Sequence, residues 1–162
     1  MKTVYYTVVE TPCGSLMIAG DGDAISRISF AAGDSVPADW KRSDRALARA
    51  RRQLAEYFAG KRRRFDLKLA TGGTDFQRRV WREVGRVPYG ATITYRQLAT
   101  RIGQPQAVRA VGAANGQNPI PIVIGCHRIV GSDGTLRGYG GGLDVKRFLL
   151  ELEKTGRAAA RS

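Results

Sequence analysis

The feature that most constrains this fold is a change of texture at Thr71-Gly72-Gly73-Thr74. Before it, short runs alternate apolar and polar residues, the period of a half-buried strand. After it, apolar residues recur every three or four positions, the period of a helix face. Two glycines between polar residues suit a boundary. The 162 residues therefore read as an N-terminal α/β domain, 1–72, and a mostly helical domain, 73–162. The fold class expected is α+β, an antiparallel sheet domain followed by helices that include a winged-helix-like helix-turn-helix.

In the first part, residues 4–10 alternate and end at the turn Thr11-Pro12-Cys13-Gly14. Runs 15–19 and 24–30, joined by Gly20-Asp21-Gly22-Asp23, predict a hairpin beside that first strand. Ser43 is expected to cap a helix over 44–59, with Leu47, Ala50, Leu54, Tyr57 and Phe58 inward and Gly60 as its stop. Lys61-Arg62-Arg63-Arg64 reads as a solvated turn, and 65–69 as a return to the sheet.

In the second part, Thr74-Asp75-Phe76-Gln77 and Thr94-Tyr95-Arg96-Gln97 are two capping boxes. The first opens a helix with Phe76, Val80, Val84 and Val87 at helical spacing, broken by Pro88-Tyr89-Gly90. The second opens a short helix that Gly103-Gln104-Pro105 ends, and 107–115 forms the next. Two short helices across a tight turn match a helix-turn-helix, a pattern weak by itself because an ordinary helical hairpin, the commoner case, gives it too. The second helix is nearly all small residues with Arg109 as its one charge, which suits close approach to DNA or tight packing on a neighbour. A last helix is expected from Asp144, with Val145, Phe148, Leu149 and Leu152 inward.

The net charge is +13, with Lys and Arg totalling 27 against 14 acidic residues. Such an excess points to a polyanion, nucleic acid before membrane, or to a generically basic surface. No apolar run reaches the roughly 18 residues needed to span a bilayer. No signal peptide is evident, which points to the cytoplasm or another reducing compartment, where Cys13 and Cys126 stay unpaired.

Chemistry concentrates in the apolar, β-type run Pro119–Ile124, followed by Gly125-Cys126-His127-Arg128 and then Ile129-Val130. It joins one of two cysteines to the only histidine. A thiol needs a base or a positive field to act as a nucleophile. Neighbours in an extended segment face opposite ways, so His127 needs either a bend at Gly125 or a relaying water. An orienting carboxylate could be Asp75, Glu83, Asp133, Asp144, Glu151 or Glu153, and spacing leaves the choice open. A buried structural cysteine is the alternative, and the better reading for Cys13.

Taken together, Val108-Arg109-Ala110-Val111-Gly112, Asn118-Pro119, Cys126-His127-Arg128, Tyr139-Gly140-Gly141-Gly142-Leu143 and Leu149-Leu150 with Glu153 resemble the O6-alkylguanine-DNA alkyltransferases, the methylated-DNA–protein-cysteine methyltransferases. The likeness runs from about Thr74 to Lys154, more than half of the chain.

That resemblance implies direct-reversal DNA repair, with the alkyl group of O6-alkylguanine, and of O4-alkylthymine, passing irreversibly to Cys126 in a flipped-out nucleotide. It implies His127 as the base, through a water, Glu153 as its orienter, Asn118 holding the segment and Tyr95 donating to the leaving guanine. DNA contacts would come from Arg109, filling the gap in the duplex, with Ala110, Gly112, Tyr95 and Arg128. Tyr139, Gly140, Gly141 and Val130 would line the pocket. The partner implied is double-stranded DNA carrying O6-alkylguanine, met by a monomer with scope for cooperative loading; no cofactor, metal or membrane is expected.

The chain departs from the family in having Gly125 where proline is usual, Gly140 where some relatives have serine, and Leu152 where others have histidine. No Cys/His cluster supports a zinc site in the N-terminal part. Two other readings compete. A non-catalytic module that flips alkylated guanine would lack the cysteine, and an unrelated Cys-His hydrolase would leave Arg109 and its small-residue helix unexplained.

Overall fold

The computed structural model describes residues 2–30, 36–134, 139 and 141–156. Its first half is a five-stranded sheet in the order β4-β1-β2-β3-β5. Strands β1 (Tyr5–Thr11), β2 (Gly14–Gly20) and β3 (Ala24–Ser29) form the antiparallel meander expected from the alternation. The sheet as a whole is mixed rather than antiparallel. Two-residue strands β4 (Lys41–Arg42) and β5 (Lys68–Leu69) join its edges in parallel, because the chain reaches each edge after a long excursion rather than a hairpin.

Helix α1 (Ala48–Phe58) buries Ala50, Leu54, Tyr57 and Phe58. It begins one turn later than expected. Ser43 Oγ accepts from Ala46 N at 3.1 Å, capping the turn before the helix, and Asp44 instead accepts from the Thr7 hydroxyl.

Both capping boxes form. Thr74 and Gln77 start α2 (Asp75–Val84), and Thr94 and Gln97 start α3 (Tyr95–Arg101). A turn with Gly103 at φ +79° leads to α4 (Val108–Gly116). Strands β6 (Ile93–Thr94) and β7 (Ile129–Val130) pair in parallel beneath them. Helix α5 (Leu143–Thr155) follows Gly142 with no side-chain cap, so Asp144 lies in its first turn and pairs there with Arg147. One apolar core runs from Leu16 and Ile18 of the sheet through Leu54 to Val80, Leu98, Ile129 and Leu149. No helix among the described residues is long and apolar enough to cross a membrane.

Candidate active site

The run Pro119–Ile124 is not a strand. Ile120, Pro121, Ile122 and Ile124 are buried and Pro119 and Val123 half-buried, so burial follows no strand alternation and the run is an irregular loop. Ile122 holds φ +75°, a left-handed conformation costing a β-branched residue on the order of 1–3 kcal/mol. Asn118 fixes the loop from within: its Nδ2 donates to Ile124 O at 2.8 Å and its Oδ1 accepts from Ile120 N at 2.9 Å.

The loop delivers the chain to a single 3-10 turn, Cys126–Arg128, closed by Arg128 N donating to Gly125 O at 2.9 Å. Three residues per turn send successive side chains about 120° apart. Cys126 therefore points into a cavity while His127 and Arg128 turn to the interior. Both interior groups meet Glu153 of α5. His127 Nε2 lies 2.7 Å from Glu153 Oε2, and Arg128 makes a two-pronged pair with both oxygens at 2.8 Å. Tyr57 of α1 donates to Oε2 at 2.6 Å and Gly90 N to Oε1 at 3.3 Å.

Arg128 was expected at a DNA surface, and that expectation is corrected. It is 7% exposed, and its remaining arm donates to Val87 O at 2.9 Å. A guanidinium inside an apolar run needs a carboxylate, and Glu153 is where it finds one.

Burial would push Glu153 up, but hydrogen bonds from His127 and Arg128 and their nearby charges hold it well below the carboxylate range. It is the anion, and Arg128 the cation, of a buried pair. Burial lowers His127 against the pull of Glu153, so the imidazole is neutral. With Nε2–H donating to Glu153, the lone pair lies on Nδ1, which has no protein partner among the described residues. A neutral imidazole held in that tautomer can accept a proton on the Cys126 side. Burial raises the Cys126 thiol, while Asn118, Lys146 and Tyr139 draw it back. The resting pair is thus thiol and imidazole, not thiolate and imidazolium.

Lys146 was not singled out in the sequence. It is fully buried, its Nζ donating to Ile129 O at 2.7 Å and lying 5.8 Å from the Tyr95 ring centre. Burial lowers its ammonium to about 8, against an opposing pull from Cys126. A helical signal existed for it. Lys146, Leu149 and Glu153 are spaced i, i+3, i+7, one face of α5, whereas Glu151 points away and is exposed. In the structure Glu153 falls on that face and Glu151 does not, which decides the choice that spacing alone left open.

Cys126 opens on a cavity of about 310 Å³ that Asn115, Asn118, Tyr139 and Phe30 also line. Tyr139 packs edge-on against His127 and Phe30, at 6.5 and 5.6 Å between ring centres. Its hydroxyl lies near the thiol without a well-formed hydrogen bond among the described residues. Gly141 sits so close to Phe30 that a Cβ there would come within 3.0 Å of the ring. Val130 is buried on β7, and Gly140 lies outside the described residues. Asn115, another residue the sequence did not flag, donates to Cys126 O at 3.3 Å while its Oδ1 has no hydrogen-bond partner among the described residues.

Helix α4 turns Val111 and Ala114 inward and leaves Arg109, Ala110 and Ala113 exposed. Gly112 faces α3, where a Cβ would lie 3.6 Å from the Tyr95 ring. Tyr95, half-buried at the start of α3, thus stands between α4 and Lys146.

This arrangement has relatives. The family profile described as 6-O-methylguanine DNA methyltransferase, DNA binding domain, matches residues 75–155, and its ribonuclease-like domain matches residues 4–71. The chain belongs to the 6-O-methylguanine DNA methyltransferase family. A methylated-DNA–protein-cysteine methyltransferase of Methanosarcina barkeri is 49% identical over 154 residues, covering 93% of this chain and 98% of that one. The Mycobacterium tuberculosis protein of the same name is 44% identical over 154 residues, covering 94% of this chain and 93% of that one. Among solved structures, the M. tuberculosis protein in complex with DNA superposes with a TM-score of 0.91 at 44% identity, covering 96% of each chain. In this chain Cys126 is buried beside the His127–Glu153 pair.

Proposed function

We propose that this protein repairs DNA by direct reversal, as a methylated-DNA–protein-cysteine methyltransferase acting once. Its partner is double-stranded DNA carrying O6-alkylguanine. The single observation that carries this reading is a buried thiol at a cavity wall, next to a buried histidine held at 2.7 Å by a buried carboxylate.

In the step proposed, the Cys126 sulfur attacks the alkyl carbon in line with the carbon–O6 bond. The thiol proton passes to His127 Nδ1 through a water, and Tyr95 supplies a proton to the departing guanine. A thioether forms, the carbon–oxygen bond breaks, and intact guanine is left. Burial delays ionisation of the thiol until substrate arrives, and the Lys146 charge favours the sulfur anion as it develops. Because the thioether has no leaving group, Cys126 is consumed.

An O6 atom inside the duplex cannot reach a buried thiol, so the nucleotide must leave the stack. Helices α3 and α4 serve as the helix-turn-helix. The exposed small face of α4 lies along a groove, Ala110 and Gly112 permit close approach, and Arg109 fills the gap. Tyr139, Gly140, Gly141 and Val130 enclose the base, and O4-alkylthymine fits the same reaction. The division at 72/73 separates a supporting sheet domain from this reacting one. The protein acts as a monomer, loads cooperatively along DNA, and works in the cytoplasm, where a thiol stays reduced until used.

Mass analysis after incubation with an O6-methylguanine duplex tests the reading. One methyl group should appear on the Cys126 peptide and none on Cys126→Ala. An intact, DNA-binding protein that gains no mass would sink it.

A further inference from the structure

Lys61-Arg62-Arg63-Arg64 reads from sequence as a solvated turn, yet the structure sets its last two arginines across from another basic row. Arg78, Arg82 and Arg86 recur every four residues along and just beyond α2, and with Arg63 and Arg64 they line a groove of about 870 Å³. The groove's described lining contains no carboxylate. Arg78 pairs with Asp75, and Arg86 lies 3.5 Å from Glu83. Arg64 and Arg82 are exposed and have no acidic partner among the described residues.

The groove is also lined by the apolar side chains of Leu67, Leu69 and Trp81. Leu67 and Leu69 belong to the segment that forms β5, the end strand of the sheet. An end strand keeps one row of backbone N–H and C=O groups outside the sheet.

We propose that this groove docks an extended acidic segment of another protein, which adds as a strand beside β5. Its carboxylates would meet Arg64 and Arg82 while alternate apolar side chains cover Leu67 and Leu69. Single-stranded nucleic acid is the competing polyanion, but it binds by stacking bases on free aromatic faces. Here Phe65 is packed on Tyr57 at 5.5 Å, the Tyr89 ring is flanked by Arg63 and Arg128 at 5.3 and 5.9 Å, and Trp81 is buried with its Nε1 donating to Ala114 O. An end strand's alternating N–H and C=O groups match those of a peptide strand in register, whereas a phosphate backbone can only accept from the N–H groups. Neither Arg109 nor any other residue of α4 lines the groove.

The probe is a fluorescein-labelled peptide of alternating Glu and Val, eight residues long, followed by anisotropy with the full chain at low salt. Saturable binding is expected, weaker by at least about tenfold in Arg64→Glu/Arg82→Glu and unchanged in Arg109→Ala. The same peptide N-methylated at alternate residues should bind at least about fivefold more weakly, since it cannot form the ladder. Alkyl transfer by the double variant to free O6-benzylguanine should match the parent, showing that its fold is intact. No saturable binding, undiminished binding by the double variant, indifference to N-methylation, or tighter binding of an eight-residue oligothymidylate would each overturn the proposal.

Discussion

Two arginines of the C-terminal half make opposite use of one side chain. Arg109 stands exposed on a helix of small residues, whereas Arg128 lies buried against Glu153. The exposed one has no ion-pair or hydrogen-bond partner among the described residues and is available to a ligand. The buried one neutralises the carboxylate that orients His127, and it also joins β7's approach to α5. A positive charge in this sequence is therefore two kinds of feature, and only burial separates them.

The largest expected effect comes from breaking the buried side. Glu153→Ala leaves Arg128 inside without an anion and frees His127, Tyr57 and Gly90 of their acceptor. Breaking a buried pair this way costs about 3–5 kcal/mol. Denaturant melts should show that loss together with absent alkyl transfer. Arg109→Ala, by contrast, should change stability by no more than about 0.5 kcal/mol while lowering repair in duplex by roughly tenfold or more, the weight of about 1.4 kcal/mol. Reaction with free O6-benzylguanine should be spared. Equal losses on duplex and free base would remove the plug and leave the two arginines alike.

Lys146→Gln comes next. Without its charge the Cys126 thiol should titrate at higher pH, and the rate with free base should fall by several-fold, to about tenfold at most. The pH profile of iodoacetamide labelling at Cys126 measures this. An unmoved profile would reduce Lys146 to a packing role.

Acid sharpens the contrast again. Glu153 is depressed below its ordinary value of 4.5 and His127 below 6.5. The unfolded chain therefore binds more protons than the folded one below each ordinary value, and stability falls as pH drops. The loss should begin below about 6.5 through His127 and steepen below about 4.5 through Glu153. Melting temperature followed from pH 7 to 4 should fall for the parent and for Arg109→Ala in parallel. A flat response would mean the buried network is not ionised as described.

The smallest effect belongs to Gly125→Pro. Gly125 has φ −73°, which suits proline, but a Cβ there would come 3.0 Å from the Arg128 side chain. The entropic gain and the small displacement of Arg128 oppose each other, and stability should move by less than about 1 kcal/mol.

Much of this was legible in the residues. The two capping boxes and the change of period located the helices, because those signals are local. Alternation over 65–69 pointed to β5, whereas two-residue β4 carries too few positions for any period to register. The Cys-His-Arg turn was hidden for another reason. An apolar run reads the same whether it is a buried strand or a buried loop, and the left-handed Ile122 is set by its surroundings. Resemblance grouped Cys126, His127 and Glu153 as one constellation. It put Arg128 on the wrong side, since a motif records which residues occur and not which way they face.

The two cysteines give the most direct test of an acceptor used once. Both thiols are raised by burial, Cys13 to about 11, but only Cys126 is drawn back, by Asn118, Lys146 and Tyr139. With excess methylated duplex, methyl uptake should stop at one group per chain, all of it on the Cys126 peptide. Continued turnover past that point, or methyl on Cys13, would contradict the account.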